Sequence, residues 1–268
     1  MRLSFFANRP FLSKPKILVI GYGFVGKTVV NNLMKHGYSV SVLDPAQKTL
    51  SSVVRSHTCD GAIICVNTPT TPDGKCDDSN VRDAIRTAQQ LVKSGRILVK
   101  STVTPDLAAK YPEQVVMNPE FLTQANRYHD FANQKFMVFG GDEKQAAWWS
   151  RVFRHIECER VFVTREGACW FKYIHNTWLA TKVVFFHEMH KAAEAHGQLD
   201  DLQGVLGQIA EHDPQVGPSH MYAPNQRGTL GYTGSCFPKD TAAFAQFTNA
   251  SLLNEVTKIN DRLNNEQL

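Results

Sequence analysis

A glycine-rich motif near the start of the chain has the residue types and the spacing of a dinucleotide-binding turn. Its glycines are Gly21, Gly23 and Gly26, in the order G-x-G-x-x-G. The first permits a tight turn, the second lets a pyrophosphate approach the backbone, and the third allows a helix to pack closely. Asp44 follows 18 residues after Gly26, near the place from which an acid binds the adenosine ribose. An acid there favours NAD over NADP, because it repels the extra phosphate.

The segments around this motif have the patterns of a strand, a helix and a second strand. Apolar runs at residues 17–20 and 39–43 flank it, and the second run leads to Asp44. Residues 27–36 predict a helix that Gly37 can end, and the N-terminus of such a helix offers free N–H groups to phosphates. With both strands, the helix and the acid present, the motif predicts dinucleotide binding. The alternative is a chance glycine turn in another α/β protein.

Further apolar runs predict five more strands, at residues 61–66, 96–100, 114–117, 136–141 and 160–163. Helices are predicted between them at residues 78–92 and 144–153, and a short one within residues 45–60. This alternation predicts an α/β fold with a doubly wound parallel sheet. We therefore expect an N-terminal tail over residues 1–15 and a Rossmann domain over residues 16–165. Several strands end in loops with hydroxyl, amide or acidic side chains, where such sheets bind ligands.

From residue 166 the pattern becomes helical, which predicts an all-α domain over residues 166–268 with a long central helix. The stretch 166–197 lacks proline and is apolar on more than one face, so we expect burial on several sides. Such a helix fits the core of a homodimer, and a core helix within one chain is the open alternative. Shorter helices are predicted at residues 200–212, 241–247 and 251–263, with a loop at residues 214–231.

Composition and charge argue against several classes of protein. The formal net charge is +4, from 29 basic and 25 acidic residues that are well mixed, so nucleic-acid binding is not indicated. No apolar run approaches the roughly 20 residues of a membrane span, and residues 1–15 are too interrupted for a signal peptide. The six cysteines form no C-x-x-C pair, so reduced thiols and a cytoplasmic location are expected. His187 and His190 lack the H-E-x-x-H spacing, so no metal is expected.

Six short motifs then follow one another between residues 16 and 240. They are Gly21-Tyr22-Gly23-Phe24-Val25-Gly26, Cys65-Val66-Asn67-Thr68-Pro69, Ser101-Thr102-Val103, Asn118-Pro119-Glu120-Phe121-Leu122, Lys172 with Asn176 four residues on, and Gly234-Ser235-Cys236-Phe237-Pro238-Lys239-Asp240. In this order and combination the chain resembles the UDP-glucose 6-dehydrogenase family, which includes the GDP-mannose and UDP-N-acetylmannosamine dehydrogenases. The cysteine motif is the most specific of the six.

The resemblance implies an NAD-dependent oxidation of a nucleotide-sugar CH2OH group to a carboxylate, with UDP-glucose as the default substrate. Cys236 would attack the intermediate aldehyde to give a thiohemiacetal, which a second hydride transfer converts to a thioester that water cleaves. Cysteine suits this step because a thiolate attacks carbonyls well and also leaves well. The resemblance also implies roles for five other catalytic residues. Lys172 and Asp240 would serve a water or the alkoxide, Glu120 and Thr102 the water of thioester hydrolysis, and Asn176 with the Lys172 ammonium the oxyanion.

The same resemblance implies two sets of binding residues. The cofactor-binding set is Gly21, Gly23, Phe24, Val25, Gly26, Asp44, Val66, Thr68, Pro69, Ser101, Thr102 and Lys239. The substrate-binding set is Glu120, Phe121, Leu122, Lys172, Asn176, Gly231 and Tyr232. The cysteines expected to be structural are Cys59, Cys65, Cys76, Cys158 and Cys169.

Two departures from the family pattern leave other functions open. Family members usually continue into a third, nucleotide-binding domain, whereas this sequence stops at Leu268, so a short form of the family is expected. Gln215 stands where the family has an arginine that reaches the substrate, and an amide cannot make the same bidentate contact. The alternatives are a non-catalytic or partner-dependent NAD-binding relative, and a two-electron dehydrogenase of the β-hydroxyacid type. Cys236 argues against the latter, because two-electron chemistry needs no covalent trap.

Overall fold

The computed structural model describes residues 11–44, 49–50, 59–123, 126–225 and 228–265. Most of the expected N-terminal tail therefore lies outside the described residues. So does most of the helix expected within residues 45–60, where residues 49 and 50 form a strand instead. The chain folds into two compact units. Unit 1 comprises Met1–Pro69 and Cys76–Lys172, and unit 2 comprises Thr70–Lys75 and Tyr173–Leu268. The predicted domain boundary at residue 165 stays a prediction.

Unit 1 is built on one sheet, in which the described residues form eight strands in the order β3-β2-β1-β4-β5-β6-β7-β8. The strands are β1 (Ile17–Ile20), β2 (Val40–Asp44), β3 (Thr49–Leu50), β4 (Gly61–Ile64), β5 (Ile97–Val99), β6 (Val115–Met117), β7 (Phe136–Gly140) and β8 (Glu159–Val163). Neighbouring strands are parallel except for two antiparallel pairs, β2 with β3 and β6 with β7. The predicted α/β doubly wound sheet is confirmed.

The helices that cover this sheet are α1 (Phe24–Lys35), α2 (Ser79–Leu91), α3 (Pro105–Ala108), α4 (Arg127–Ala132) and α5 (Glu143–Val152). The central strands are buried on both faces, which explains why they are continuous apolar runs rather than alternating ones. Leu18 and Ile20 of β1 belong to one apolar cluster, and Ile17 and Val19 to the other. The sheet is therefore covered on both sides, as a doubly wound fold requires.

Within this mostly parallel sheet β7 is an exception, because it pairs with β6 in the antiparallel sense through Met117 and Gly140. A parallel connection needs a crossover of a dozen or more residues that is usually helical. Between β6 and β7 the described chain has only the six-residue α4 as regular structure. The chain therefore enters β7 from the opposite end, and a full crossover through α5 then makes β8 parallel to β7.

Unit 2 contains most of the long helix α6 (Arg165–Ala195), followed by α7 (Leu199–His212), α8 (Phe237–Thr248) and α9 (Ser251–Asn265). Helix α8 begins four residues before the predicted start, because Pro238 lies in its first turn, where proline is tolerated. The expectation that α6 is buried on several sides is wrong for one face. Ile174, Trp178 and Phe185 are each more than half exposed. None of the described helices is long and apolar enough to cross a membrane.

Candidate active site

The turn between β1 and α1 is closely packed at two of its three glycines. Gly21 has a φ of +93°, in the left-handed region that favours glycine. A Cβ atom on Gly21 would lie 2.8 Å from the backbone carbonyl of Cys65. A Cβ atom on Gly26 would lie 2.0 Å from the carbonyl oxygen of Gly21. Side chains are therefore excluded at both positions, as expected for a turn that packs a helix tightly against a strand.

Gly23 has the opposite surroundings, because a Cβ atom there would meet no heavy atom of the described residues within 4 Å. It is the N-cap of α1, whose first N–H groups have no partner within the helix. Phe24 and Val25 begin this helix and are half-buried. Asp44 ends β2, and its carboxylate accepts a 2.6 Å hydrogen bond from the N–H of Tyr22. The open backbone, the helix N-terminus and the adjacent acid fit the pyrophosphate and ribose of a dinucleotide.

The loops after β4 and β5 are joined by side chain to backbone hydrogen bonds. The Ser101 hydroxyl donates to the carbonyl of Val66 at 2.6 Å, and the Thr68 hydroxyl donates to the carbonyl of Thr102 at 2.8 Å. The carbonyl of Pro69 accepts from the N–H of Asp77 at 2.9 Å. Since β1, β4 and β5 are parallel neighbours, these loops leave the sheet at the same edge as the glycine turn. The predicted cofactor-binding residues of unit 1 therefore share one rim.

Glu120 follows β6 and forms a buried ion pair with Lys100, the residue after β5. The Lys100 ammonium lies 2.8 Å from Oε2 of Glu120, and the two side chains are 1% and 8% exposed. The ammonium also donates to the Asn118 side-chain oxygen at 2.7 Å. The other carboxylate oxygen, Oε1, accepts from the N–H of Phe121 at 3.1 Å. Oε2 accepts no directed hydrogen bond from the described residues. Glu120 is thus an oriented carboxylate with capacity to accept a proton or a hydrogen bond.

Lys172, on α6, binds the backbone of the same short segment with its side chain. Its ammonium donates to the carbonyl oxygen of Glu120 and lies 5.0 Å from the ring centre of Phe121. Phe121 packs edge-on against Phe136 and Phe171 in the core of unit 1, and Leu122 packs against the cluster on the other face of the sheet. Glu120, Lys172 and Phe121 are therefore brought together by the fold.

In unit 2 the buried carboxylate of Asp240 is held by two side chains. Asn176 donates to one oxygen at 2.6 Å, and the Lys239 ammonium lies 2.5 Å from the other. Asp240 is 1% exposed, so this charge needs such partners. Lys172 and Asn176 are four positions apart, one turn, in α6. The structure thus groups Asn176, Lys239 and Asp240 in one hydrogen-bonded network.

Cys236 precedes α8 as its N-cap, one turn before Asp240, whose N–H donates to the Cys236 carbonyl at 2.8 Å. All six cysteines lie within the described residues, and of these Cys236 is exposed while the others are buried or half-buried. The Cys236 thiol is therefore a nucleophile at the surface of unit 2, one helical turn from the buried Asp240 carboxylate.

Four of the other cysteines have environments that suppress reactivity. Burial raises the pKa of the Cys65 thiol to about 12. Burial also raises the pKa of the Cys59, Cys158 and Cys169 thiols. A thiol that stays protonated is a poor nucleophile, which supports the structural role expected for them.

Gly231 and Tyr232, predicted to bind substrate, lie just before the cysteine. Gly231 has a φ of +76°, and the Tyr232 ring is edge-on to Phe237 at 6.0 Å between centres. In the described ranges, no group of three or more histidine, cysteine or acidic side chains could hold a metal ion. Both His187 and His190 are buried.

Residues 51–157 match the NAD-binding domain of the UDP-glucose/GDP-mannose dehydrogenase family, and residues 166–264 match the central domain of the same family. The chain belongs to this family. NAD is therefore its cofactor, which agrees with Asp44 and with the geometry of the glycine turn. That turn precedes residue 51 and so lies outside the matched range.

Two curated relatives and one solved structure show the extent of this similarity. UDP-glucose 6-dehydrogenase YwqF of Bacillus subtilis (strain 168) is 29% identical, with 94% of this chain and 66% of YwqF covered. UDP-glucose 6-dehydrogenase TuaD of the same organism is 28% identical, with 70% and 42% covered. A UDP-glucose dehydrogenase from the hyperthermophilic archaeon Pyrobaculum islandicum has a TM-score of 0.80 at 25% identity, with 93% of this chain and 68% of that chain covered. This chain thus spans 42% to 66% of the length of the two curated relatives.

The sequence analysis missed two residues of the unit 1 network, Lys100 and Asn118, as functional candidates. A charged residue at the end of an otherwise apolar strand was the available signal, since a lysine there must be paired when the strand is central. It also missed the polar side chains that bind the backbone around Gly231. Three of those residues lie 28 to 44 positions away in the sequence, and none of the set has a motif of its own.

Proposed function

We propose that this chain is an NAD-dependent nucleotide-sugar 6-dehydrogenase, with UDP-glucose oxidised to UDP-glucuronate as the default reaction. One observation supports this most strongly. An exposed cysteine caps α8, and the buried Asp240 network lies one turn further along that helix. A dehydrogenase that releases its aldehyde has no use for such a nucleophile. The family assignment supports the same proposal.

The overall reaction converts an alcohol, two NAD and one water to a carboxylate, two NADH and three protons. Bound NAD supplies the chemistry of accepting a hydride. The residues around the glycine turn hold it: the first turn of α1 binds the pyrophosphate and Asp44 binds the ribose hydroxyls. The loops that Ser101 and Thr68 tie together form the adjoining wall.

Cys236 bonds to the carbon of the first aldehyde product and so keeps it on the protein. Its sulfur leaves again as a thiolate when water has added to the thioester. The helix N-terminus serves both steps, because it stabilises negative charge on sulfur. Lys239 adds positive charge nearby and also holds Asp240.

Proton transfer and oxyanion stabilisation are assigned to the residues that the family resemblance implies for them. Asp240 accepts the alcohol proton as the base, and Asn176 with the Lys172 ammonium stabilises the alkoxide and the later oxyanion. Glu120 accepts a proton from the attacking water through its carboxylate, and Thr102 orients that water. The Lys100 ion pair holds the Glu120 carboxylate in position for this role.

NADH absorbance with purified protein, NAD and UDP-glucose tests this proposal. We expect two NADH for each sugar consumed and no turnover in Cys236→Ala. Cys158→Ala is the matched control, because it removes a half-buried thiol outside the proposed chemistry and should stay active.

Other outcomes would favour the alternative functions. One NADH per sugar, with activity retained in Cys236→Ala, would indicate a two-electron dehydrogenase. If UDP-glucose is inert, GDP-mannose and UDP-N-acetylmannosamine are tested next. NAD binding by calorimetry without turnover of any of the three would refute an independent enzyme and favour a binding or partner-dependent role.

We also propose that the chain forms a homodimer through the exposed face of α6. Ile174, Trp178 and Phe185 are 56%, 59% and 55% exposed and repeat at helical spacing on one side of the helix. A continuous apolar face of this kind usually marks an interaction site. Light scattering after size exclusion should give a dimer, and Trp178→Glu should give a monomer. Leu252→Glu, also at an exposed apolar position, should remain dimeric.

A further inference from the structure

The two residues Gly231 and Tyr232 have an unusual set of hydrogen bonds. Every backbone donor and acceptor of this pair is bound by a side chain, whereas loop backbone is normally bound by other backbone or by water. The side chains that bind them belong to His187, Asn225, Asn260 and Asn264. We call residues 231–236 the cysteine loop, because they run from this pair to Cys236.

Asn260 makes the shortest of these contacts. Its side-chain oxygen accepts from the N–H of Tyr232 at 2.6 Å. It is 3% exposed and lies among Leu253, Val256 and Leu263 on the buried face of α9. An amide on an apolar face is costly unless it is hydrogen-bonded, so its bond to the loop gives this polar residue a specific role.

Gly231 allows the close approach of this helix. A Cβ atom there would lie 2.7 Å from the side-chain oxygen of Asn260. The positive φ of Gly231 is a second reason why only glycine is tolerated. Gly231 and Asn260 are 29 residues apart in the sequence, and the small glycine is what allows the asparagine to pack directly against it.

His187, on α6, binds the same pair from another side. The N–H of Gly231 donates to Nδ1 of His187 at 2.7 Å, so Nδ1 carries no proton. Its Nε2 lies 3.2 Å from the carbonyl of Tyr222 and donates to it in the neutral tautomer. His187 is 2% exposed, and burial lowers its pKa.

The anchored pair is connected to the nucleophile by a ring contact. The Tyr232 ring packs edge-on against Phe237, the residue that follows Cys236 and begins α8. A displacement of Tyr232 would therefore change the support of the first turn of α8. That turn determines where the Cys236 thiol points, because Cys236 is the N-cap of the helix.

We propose that Asn260 and His187 are positioning residues that set the orientation of Cys236 by anchoring the cysteine loop to α9 and α6. This rests on the proposed function only for the role given to Cys236. The anchoring itself is a property of unit 2 that can be measured without a substrate.

The decisive variant is Asn260→Leu, which keeps the volume and removes the acceptor. Asn260→Asp keeps the acceptor and serves as the conservative rescue, and Asn254→Leu changes an exposed asparagine of the same helix as a control. Circular dichroism first shows that each variant is folded. Hydrogen exchange of the cysteine loop should then accelerate at least tenfold in Asn260→Leu, and not in the other two.

The second readout is the alkylation rate of Cys236 by iodoacetamide as a function of pH. In Asn260→Leu we expect the rate at pH 7 to fall at least threefold, because the thiol leaves the helix N-terminus part of the time. Turnover should fall with little change in the KM for NAD. A folded Asn260→Leu with unchanged loop exchange would overturn the proposal. So would accelerated exchange with an unchanged alkylation profile, because the anchor would then be structural only.

These readouts separate the two proposals. If the wild-type protein turns over no sugar nucleotide, the proposed function fails, whereas the exchange and alkylation results still decide the positioning role. If turnover is present and Asn260→Leu alters neither readout, the function stands and the positioning role fails.

Discussion

Replacing Lys100 by methionine should destabilise unit 1 more than any surface charge substitution. Methionine keeps most of the aliphatic chain and removes the ammonium. The Glu120 carboxylate would then remain buried without its counter-charge, since its side chain is 8% exposed and Lys100 lies 2.8 Å away. Breaking one side of a buried ion pair costs about 3–5 kcal/mol, because an uncompensated charge is left. The Asn118 oxygen loses its charged donor as well.

A loss of that size is a large part of the stability of an ordinary domain, which is about 5–15 kcal/mol. Urea unfolding followed by tryptophan fluorescence measures it, because Trp149 is fully buried in unit 1. Lys258→Met is the matched control. Lys258 pairs with Glu255 at 2.7 Å, but the two side chains are 69% and 60% exposed. Exposed pairs contribute about 0–1 kcal/mol, so this control should unfold almost like the wild type.

The double variant Lys100→Met, Glu120→Gln tests the cause. A neutral glutamine removes the buried charge, so the double variant should lose clearly less than the single Lys100→Met variant. The reasoning is refuted if Lys100→Met loses less than about 1 kcal/mol, the range of exposed pairs. It is also refuted if adding Glu120→Gln makes Lys100→Met still less stable, since the unpaired carboxylate would then not be the source of the loss.

Three further predictions concern glycines and acid stability. Gly26→Ala should weaken NAD binding and lower the urea midpoint, because its Cβ would lie 2.0 Å from the Gly21 carbonyl oxygen; unchanged binding by calorimetry would contradict this. Gly207→Ala, inside α7 and in open space, should stabilise the chain by roughly 0.5–1 kcal/mol, and a lower urea midpoint would be evidence against it. Burial, and then repulsion from His36, lowers the pKa of His155 from 6.5 to about 4. The unfolded chain therefore binds the proton first, and this contribution to stability is complete above pH 6.5 and is lost as the pH falls towards 4. Because the ring is partly exposed, we expect about 1–2 kcal/mol, and His155→Gln should remove this pH dependence of the urea midpoint.

Much of unit 1 could be predicted from local sequence. A central strand of a doubly wound sheet is buried on both faces, so it reads as a short apolar run. The turn after β1 needs glycines for reasons that act within a few residues, at Gly21 through its φ and at Gly26 through the close approach of helix and strand. The same local logic placed Asp44 at the end of β2.

The catalytic candidates were predictable for a different reason. Cys236, Lys239 and Asp240 lie in one short motif, and Lys172 and Asn176 are one helical turn apart. Their identities came from the resemblance to a family, whereas the hydrogen bonds of Asn176 and Lys239 to Asp240 came from the structure.

What the sequence alone determined about this protein is therefore the order of strands and helices, the glycine turn and the chemistry-bearing motifs, because each depends on neighbours within a turn or a strand. Tertiary structure decided the direction of β7, the exposed face of α6, the Lys100 partner of Glu120 and the Asn260 partner of Tyr232. Three of these features are contacts between segments 20 or more residues apart. The exposed face of α6 is a lack of contacts, and the periodicity of the helix cannot show which apolar face stays uncovered. Long-range pairing is set by how buried faces and buried polar groups are satisfied together in three dimensions, which no local pattern contains.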